Sequence, residues 1–224
     1  MHLLIITSVV YNLWSKQGKV SRFSAELSLA ISIGFLCYFG VSTQTTTLSL
    51  QSALLSLTLA LLLLLLNSVP SGLKDIKTDE SFKVESFVIA SGCQMVGDDG
   101  IFIPKKVWWF AFSLQFIIVL SFVILGSLYR PSTLVIISIG VLLLLSTLHL
   151  RSILAISSFK ALQRSSPILN GFYNYMALCA FVFLWMPTFI KLVYVVLTTI
   201  VLLLPLRLAY HMLRHRYFLI KPRQ

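Results

Sequence analysis

The stretch LALLLLLLNSVPSGLKDIKTDESFKVESF, Leu59 to Phe87, joins a strongly apolar run of the chain to its most acidic one. Six of the seven carboxylates lie between residues 75 and 99, and the seventh is Glu26. Soluble domains spread their charged residues over the whole surface. A cluster of carboxylates directly after a leucine run therefore indicates a polar loop that follows a membrane span.

The composition supports the same interpretation for the whole chain. Of 224 residues, 58% are hydrophobic and 11% are charged, whereas a soluble domain carries about 25% charged residues. We therefore expect an all-α fold, a polytopic transmembrane helix bundle. Residues 1–224 are expected to form a single transmembrane domain, with a loop at residues 70–106 and a basic tail at residues 207–224.

Seven apolar runs approach the ~20 residues that a helix needs to cross a bilayer. They predict about seven spans, at residues 1–14, 24–43, 48–69, 107–128, 133–150, 172–190 and 192–206. Proline is least disruptive at helix ends, so Pro70, Pro131 and Pro187 are expected to mark the ends of spans. The first run reaches only about 20 Å as a helix, which fits either the second half of a longer helix or a short, tilted one.

The basic residues predict the orientation in the membrane. A net charge of +11 raises the possibility of nucleic acid, but sixteen of the 18 lysines and arginines fall on alternate connections between the predicted spans. Cytoplasmic loops carry such an excess. We expect a multi-pass protein with the loop at residues 70–106 and the C-terminus on the cytoplasmic (or stromal or matrix) side. The tail is expected to lie on membrane lipids, and no nucleic-acid partner is expected.

The aspartates suggest a ligand. If the helix that ends near Val69 resumes through residues 73–85, Asp75 and Asp79 share one face of it. Mg²⁺ commonly binds one or two carboxylates together with substrate phosphates. With Lys74 beside it, the pair suits a diphosphate bridged by Mg²⁺. The alternative is a solvated loop with balanced charge.

The run LKDIKTDESFKVESFVIASG, residues 73–92, resembles the second aspartate-rich motif of the UbiA superfamily of intramembrane prenyltransferases. Asp75 and Asp79 match its two aspartates, Ser86 takes the place of a Thr or Ser, and Gly92 closes the motif. Upstream, VVYNLWSKQGKVSRFSAELSLAISIGFLCYFG, residues 9–40, is similar to the family segment that has a Tyr, a short basic loop and a helix rich in small residues. Residues 165–184 resemble a late family segment more weakly.

Three departures from the family pattern accompany the resemblance. The first aspartate motif of the family, Asn-Asp-x-x-Asp, is absent, and we expect that the corresponding N-terminal part of a family member is missing here. Lys83 replaces the usual Gly, and Glu85 stands where a basic residue is common.

The resemblance implies a Mg²⁺-dependent transfer of a prenyl group from a prenyl diphosphate to an aromatic or other lipophilic acceptor. It implies that Asp75 and Asp79 are catalytic and bind the metal. We expect Lys16, Lys19 and Lys74 to contact the diphosphate. Aromatic faces can stabilise an allylic cation. The candidates, each of which also suits ordinary packing, are Tyr11, Trp14, Phe35 and Tyr38.

Two other functions remain open. One is a non-catalytic, degenerate relative that acts as a membrane subunit or binds lipid or a partner. The other is a small transporter, which would need ionisable groups or broken helices at mid-membrane depth. Few polar residues in the predicted spans fit that need. Gly97-Asp98-Asp99-Gly100 is interpreted as a turn, and Trp108 with Trp109 as interfacial anchors.

Overall fold

A computed structural model of the chain describes residues 22–42, 49–167 and 169–182. Of these residues 80% are helical. The chain divides into two compact units at Leu178 and Cys179, and all contacts discussed below lie within the first unit.

Four helical stretches among the described residues are long and apolar enough to cross a membrane. They contain helix α1 at Arg22–Ser42, α2 at Leu50–Leu66, α5 at Lys105–Tyr129 and α6 at Thr133–Leu154. They confirm helices at the predicted spans 24–43, 48–69, 107–128 and 133–150. Helix α8 at Leu169–Val182 covers the beginning of the predicted span 172–190, and the spans 1–14 and 192–206 lie outside the described residues.

The helical stretch Leu50–Ser81, which begins with α2, continues past Pro70, and this corrects the expectation that the proline marks the end of a span. A π-helical segment, Asn67–Ser71, contains Pro70 and leads directly into helix α3 at Gly72–Ser81. Proline in a regular α-helix clashes with the carbonyl four residues earlier. A π-helical turn interrupts that pairing locally, so the helix can pass the proline. Pro131 does lie where expected, between α5 and α6.

The expected loop at residues 70–106 is largely ordered, and its strands are a small correction to an all-α fold. After α3 come the short helix α4 at Phe87–Ala90 and an antiparallel hairpin of β1 at Gln94–Val96 and β2 at Gly100–Phe102. Met95 pairs with Ile101. The predicted turn at residues 97–100 is confirmed, and Gly97 has the positive φ of 63° that glycine adopts readily.

The long helices pack closely at small residues and leave large apolar side chains on their outer faces. A Cβ at Gly34 of α1 would lie 3.0 Å from the Cβ of Ala60 of α2. The two helix backbones are therefore so close at this point that a side chain larger than that of glycine would be crowded. Phe116 of α5 and Leu134 of α6 are more than 60% exposed. So much exposed apolar surface along long helices indicates that these helices lie in lipid.

Candidate functional site

The two motif aspartates lie one turn apart on α3. The sequence predicted this arrangement on the condition that the helix resumes after Val69. Asp75 is in its first turn and half-exposed, whereas Asp79 is only 4% exposed. Lys74 and Lys77 are exposed on the same short helix. The site therefore combines a buried carboxylate, a more accessible one and two cationic side chains at the polar end of a candidate span.

Helix α3 ends in a left-handed cap at Lys83, where this chain departs from the family motif that it resembles. The N–H of Val84 donates to the carbonyl of Asp79 at 2.8 Å, and the N–H of Lys83 donates to the carbonyl of Glu80 at 3.2 Å. These two bonds form a Schellman motif, which is usually closed by glycine. Lys83 has a φ of 54°, so it adopts the backbone conformation that glycine favours.

Two other elements, strand β1 and a short helix further along the chain, hold α3 in place by hydrogen bonds. The carboxylate of Glu80 accepts the N–H of Met95 in β1 at 2.9 Å. The side chain of Gln163, in helix α7 at Phe159–Arg164, donates to the carbonyl of Lys74 at 2.8 Å. Helix α3 is thus connected to the hairpin on one side and to α7 on the other.

The hairpin is itself fixed to the start of α7 through Asp99. Its Oδ2 accepts the hydroxyl of Ser158 at 2.7 Å, and its Oδ1 accepts the N–H of Lys160 at 2.7 Å. The bond to Ser158, followed by the bond to Lys160, holds the pKa of Asp99 below its ordinary value. Asp99 therefore serves as a helix cap, and its carboxylate is already engaged.

The helical junction at residues 66–72, which consists of the π-helical segment and the residue on either side of it, is contacted by three other elements. The hydroxyl of Ser68 donates to Oε2 of Glu26 in α1 at 3.0 Å. A Cβ at Gly72 would lie 3.1 Å from Val88 of α4, and one at Gly171 of α8 would lie 2.6 Å from Leu66 at the end of α2. The junction that directs α3 is therefore enclosed by α1, α4 and α8.

An apolar groove lies between α1 and α2. It has a volume of about 310 Å³, and its lining residues are Ile31, Gly34, Phe35, Tyr38, Ala53, Ser56, Leu57 and Ala60. Two of the aromatic candidates therefore lie on its wall. The hydroxyl of Ser56 is buried and has no hydrogen-bond partner among the described residues.

A second polar cluster joins α5, α6 and α8. The side-chain amides of Gln115 and Asn174 bond each other reciprocally, at 3.1 and 2.9 Å. Asn170 donates to the hydroxyl of Ser146 at 2.7 Å and to its carbonyl at 2.9 Å. All four side chains are buried. Such pairs attach helices to one another where no water is available.

Cys93 is a structural residue. It is buried behind α4, and burial, followed by the neighbouring charge of Glu80, raises its pKa to about 12. The thiolate is the reactive form of cysteine, so this thiol is inert at neutral pH.

The structure brings together three of the five residues that were predicted to bind the diphosphate or the metal. These are Lys74, Asp75 and Asp79, all on α3. Lys16 and Lys19, like Tyr11 and Trp14, lie outside the described residues. Among the described residues no group of three His, Cys, Asp or Glu side chains is placed to hold a metal ion.

Sequence reasoning missed the partners of the site. The bond between Glu26 and Ser68, and the bonds of Asp99 with Ser158 and Lys160, join residues that are about 40 to 60 positions apart. No local sequence pattern reveals such pairs. The signal for Glu26 was its isolation as the one acid inside an apolar run.

Comparison with protein-family models, curated proteins and solved structures finds no match. The resemblance to the UbiA superfamily therefore remains a prediction that depends on the motif residues.

Proposed function

We propose that this chain is a UbiA-like, multi-pass membrane prenyltransferase, or a part of one, that uses Mg²⁺ and a prenyl diphosphate. Its prenyl group would pass to an aromatic or other lipophilic acceptor. The proposal includes about seven spans, with α3 and the C-terminus on the cytoplasmic, stromal or matrix side.

One observation carries the proposal: a candidate membrane span continues through a π-helical segment into a helix that presents two carboxylates one turn apart. The position of this helix at the polar end of the span suits a ligand with a charged head and an apolar tail. Lys74 and Lys77 beside the carboxylates favour an anionic head, because lysine binds phosphate as a point charge.

The donor chemistry fits Mg²⁺ as half of a site. Asp75 and Asp79 supply carboxylate oxygens, and Mg²⁺ completes its shell with waters and substrate phosphates more often than with further protein ligands. When bound, the ion would neutralise charge on the leaving diphosphate. The protein side chains would hold the diphosphate at this end of α3, and the apolar helices would keep water from the reacting carbon.

The cap at Lys83 is compatible with the resemblance. Where the family motif has glycine, this chain retains the backbone conformation suited to glycine. A left-handed residue also closes many helices that are unrelated to this motif, so the aspartates remain the specific part of the resemblance.

A second candidate is a non-catalytic relative that binds a prenyl diphosphate or a lipid phosphate without transferring the prenyl group. The hydrogen bonds of the other acidic residues favour this candidate. Glu80 bonds Met95, Asp99 caps α7 and Glu26 bonds Ser68, so no second carboxylate pair faces Asp75 and Asp79 within the part of the chain described here.

The test is the binding of farnesyl diphosphate to the purified full chain in lipid nanodiscs, with and without Mg²⁺. We expect Mg²⁺-dependent binding that Asp75→Asn abolishes. The matched control is Glu85→Gln, which removes the charge of an exposed carboxylate in the same loop. Equal binding by wild type and Asp75→Asn would exclude the metal site. Binding without transfer to any of a set of aromatic acceptors would favour the second candidate.

A further inference from the structure

Glu26 is the one acidic residue outside the loop, and it lies in the first turns of α1, within a candidate span. It is 4% exposed, and its partner Ser68 is 1% exposed. An ionisable side chain is costly in such surroundings and is retained when it serves a function. The hydrogen bond from Ser68, at 3.0 Å, connects α1 to a residue 42 positions away.

Because of the position of Ser68, this bond can affect the orientation of α3, which carries Asp75 and Asp79. Ser68 lies in the π-helical segment, where the regular pairing of the helix is interrupted and its direction is set. Asp75 follows seven residues later, at a distance of about 10 Å along a helix. A small change of direction at the segment therefore moves both carboxylates of α3.

The contacts of this junction with α4 and α8 are apolar, whereas α3 itself is further held by the hydrogen bonds of Lys74 with Gln163 and of Glu80 with Met95. Val88 packs against Gly72, and Leu66 packs against Gly171. Such contacts fix the separation of elements, whereas a hydrogen bond also fixes the rotation of a helix about its axis. Because Asp75 and Asp79 must face the same ligand, the rotation of α3 is the quantity that matters.

We propose that Glu26 is a positioning residue that, through Ser68, sets the rotation of α3 and so aims Asp75 and Asp79 at the diphosphate. This inference rests on the proposed function for its ligand. The claim that α1 sets the orientation of α3 does not depend on the ligand and rests on the hydrogen bond between Ser68 and Glu26.

The first experiment measures the Kd of farnesyl diphosphate with Mg²⁺ for full-length variants in nanodiscs. Loss of one hydrogen bond predicts a Kd about fivefold higher in Ser68→Ala. Glu26→Ala should raise the Kd at least as much, since Glu26 has interactions beyond Ser68. The double variant should be no worse than Glu26→Ala alone, because the bond between Glu26 and Ser68 is already lost there. Glu26→Gln retains an acceptor oxygen and should restore most of the affinity.

The matched control is Thr58→Val, because Thr58 is buried in α2 and its hydroxyl bonds only the carbonyl of Leu54 in the same helix. It should leave Kd unchanged. A merely structural bond between Glu26 and Ser68 would lower the melting temperature and leave the Kd of the folded protein unaltered. That result, or effects of Ser68→Ala and Glu26→Ala that multiply, would overturn the proposal.

A second measurement separates this inference from the proposed function. Spin labels on native Cys37 in α1 and on Lys77→Cys in α3, with Cys93 and Cys179 replaced by alanine, report the distance between the two helices. We expect Ser68→Ala and Glu26→Ala to shift or broaden the distribution, and Thr58→Val to leave it unchanged. If wild type binds no farnesyl diphosphate, the proposed function fails. The distance between the labels then tests by itself whether the bond between Glu26 and Ser68 sets the orientation of α3. An unchanged distribution in Ser68→Ala overturns it.

Discussion

The backbone N–H of Val84 donates to the carbonyl of Asp79 at 2.8 Å, across a single left-handed residue, Lys83. The bond ends α3 just after its buried carboxylate, so the conformation of the cap and the position of the aspartate are coupled. A side chain other than glycine in this conformation costs about 1–2 kcal/mol.

We predict that Lys83→Gly stabilises the protein. It removes the strain at φ 54°, and this gain exceeds the loss of about 0.4–1 kcal/mol that glycine causes by loosening the unfolded chain. The melting temperature should rise by about 2–4 °C, the shift expected from about 1 kcal/mol in a chain of this size.

Two control variants separate backbone strain from charge. Lys83→Ala removes the charge and retains the strain, so its melting temperature should match wild type. Lys77→Gly places glycine at an exposed, regular position of α3 and should cost about 1 kcal/mol. A lower melting temperature for Lys83→Gly than for wild type would contradict the prediction.

Asp99 predicts a pH dependence of the loop. Its pKa lies below the ordinary value of 3.8, first because of Ser158 and then because of the N–H of Lys160. A depressed pKa contributes stability above the unfolded value, and this stability is lost as the pH falls through the folded value. The hairpin at residues 94–102 should therefore keep its full protection against hydrogen exchange at pH 5–7 and begin to lose protection as the pH falls below about 3.8.

The same exchange experiment can identify the responsible carboxylate. Asp99→Asn should reduce protection of the hairpin and of the start of α7 already at neutral pH. Asp98→Asn, a change of the same charge at the exposed neighbouring residue, should not. Equal protection in Asp99→Asn and wild type would show that the cap does not hold the hairpin.

The contrast between Asp98 and Asp99 shows how far sequence reasoning reaches. Turn chemistry is local, so the turn at residues 97–100 could be predicted from its glycines and aspartates. The partner of Asp99 is 59 residues away, so its capping role could not be predicted from the sequence.

The long helices were predicted from the length of the apolar runs, because bilayer thickness sets the length of a membrane-spanning helix. The helix passes Pro70 in a π-helical segment that contacts from α1, α4 and α8 surround, and contacts between distant elements cannot be read from a local run of residues.

The candidate site was predictable to a similar extent. The spacing of Asp75 and Asp79 is a local property of one helix, and the structure places both on α3. Glu26 and Ser68 belong to different helices, and their pairing required the structure.

The amide pair of Gln115 and Asn174 predicts coupling between α5 and α8. Gln115→Leu leaves the buried amide of Asn174 without two bonds, which should cost about 1–2 kcal/mol in this setting. Adding Asn174→Leu should recover part of that loss, because both polar groups are then removed. Ser121→Ala is the control, since this buried hydroxyl bonds only within α5. Purely additive losses in the melting temperature of the double variant would rule out the coupling.

If the chain binds a prenyl diphosphate as proposed, the groove between α1 and α2 predicts a dependence of binding on the length of the prenyl chain. From Asp75 to Ala60, at the near end of the groove, the helix runs about 15 residues, or about 22 Å, so only a long chain held at Asp75 reaches it. Ala53→Leu adds bulk at an exposed groove position and should weaken Mg²⁺-dependent binding of a long prenyl diphosphate while leaving geranyl diphosphate unaffected. Val123→Leu, on the exposed face of α5, should change neither affinity. Because Ala53 lies 22 residues, or about 33 Å along the helix, from Asp75, binding constants for geranyl and octaprenyl diphosphate in nanodiscs measure this difference. Equal weakening of both by Ala53→Leu would place the prenyl tail elsewhere.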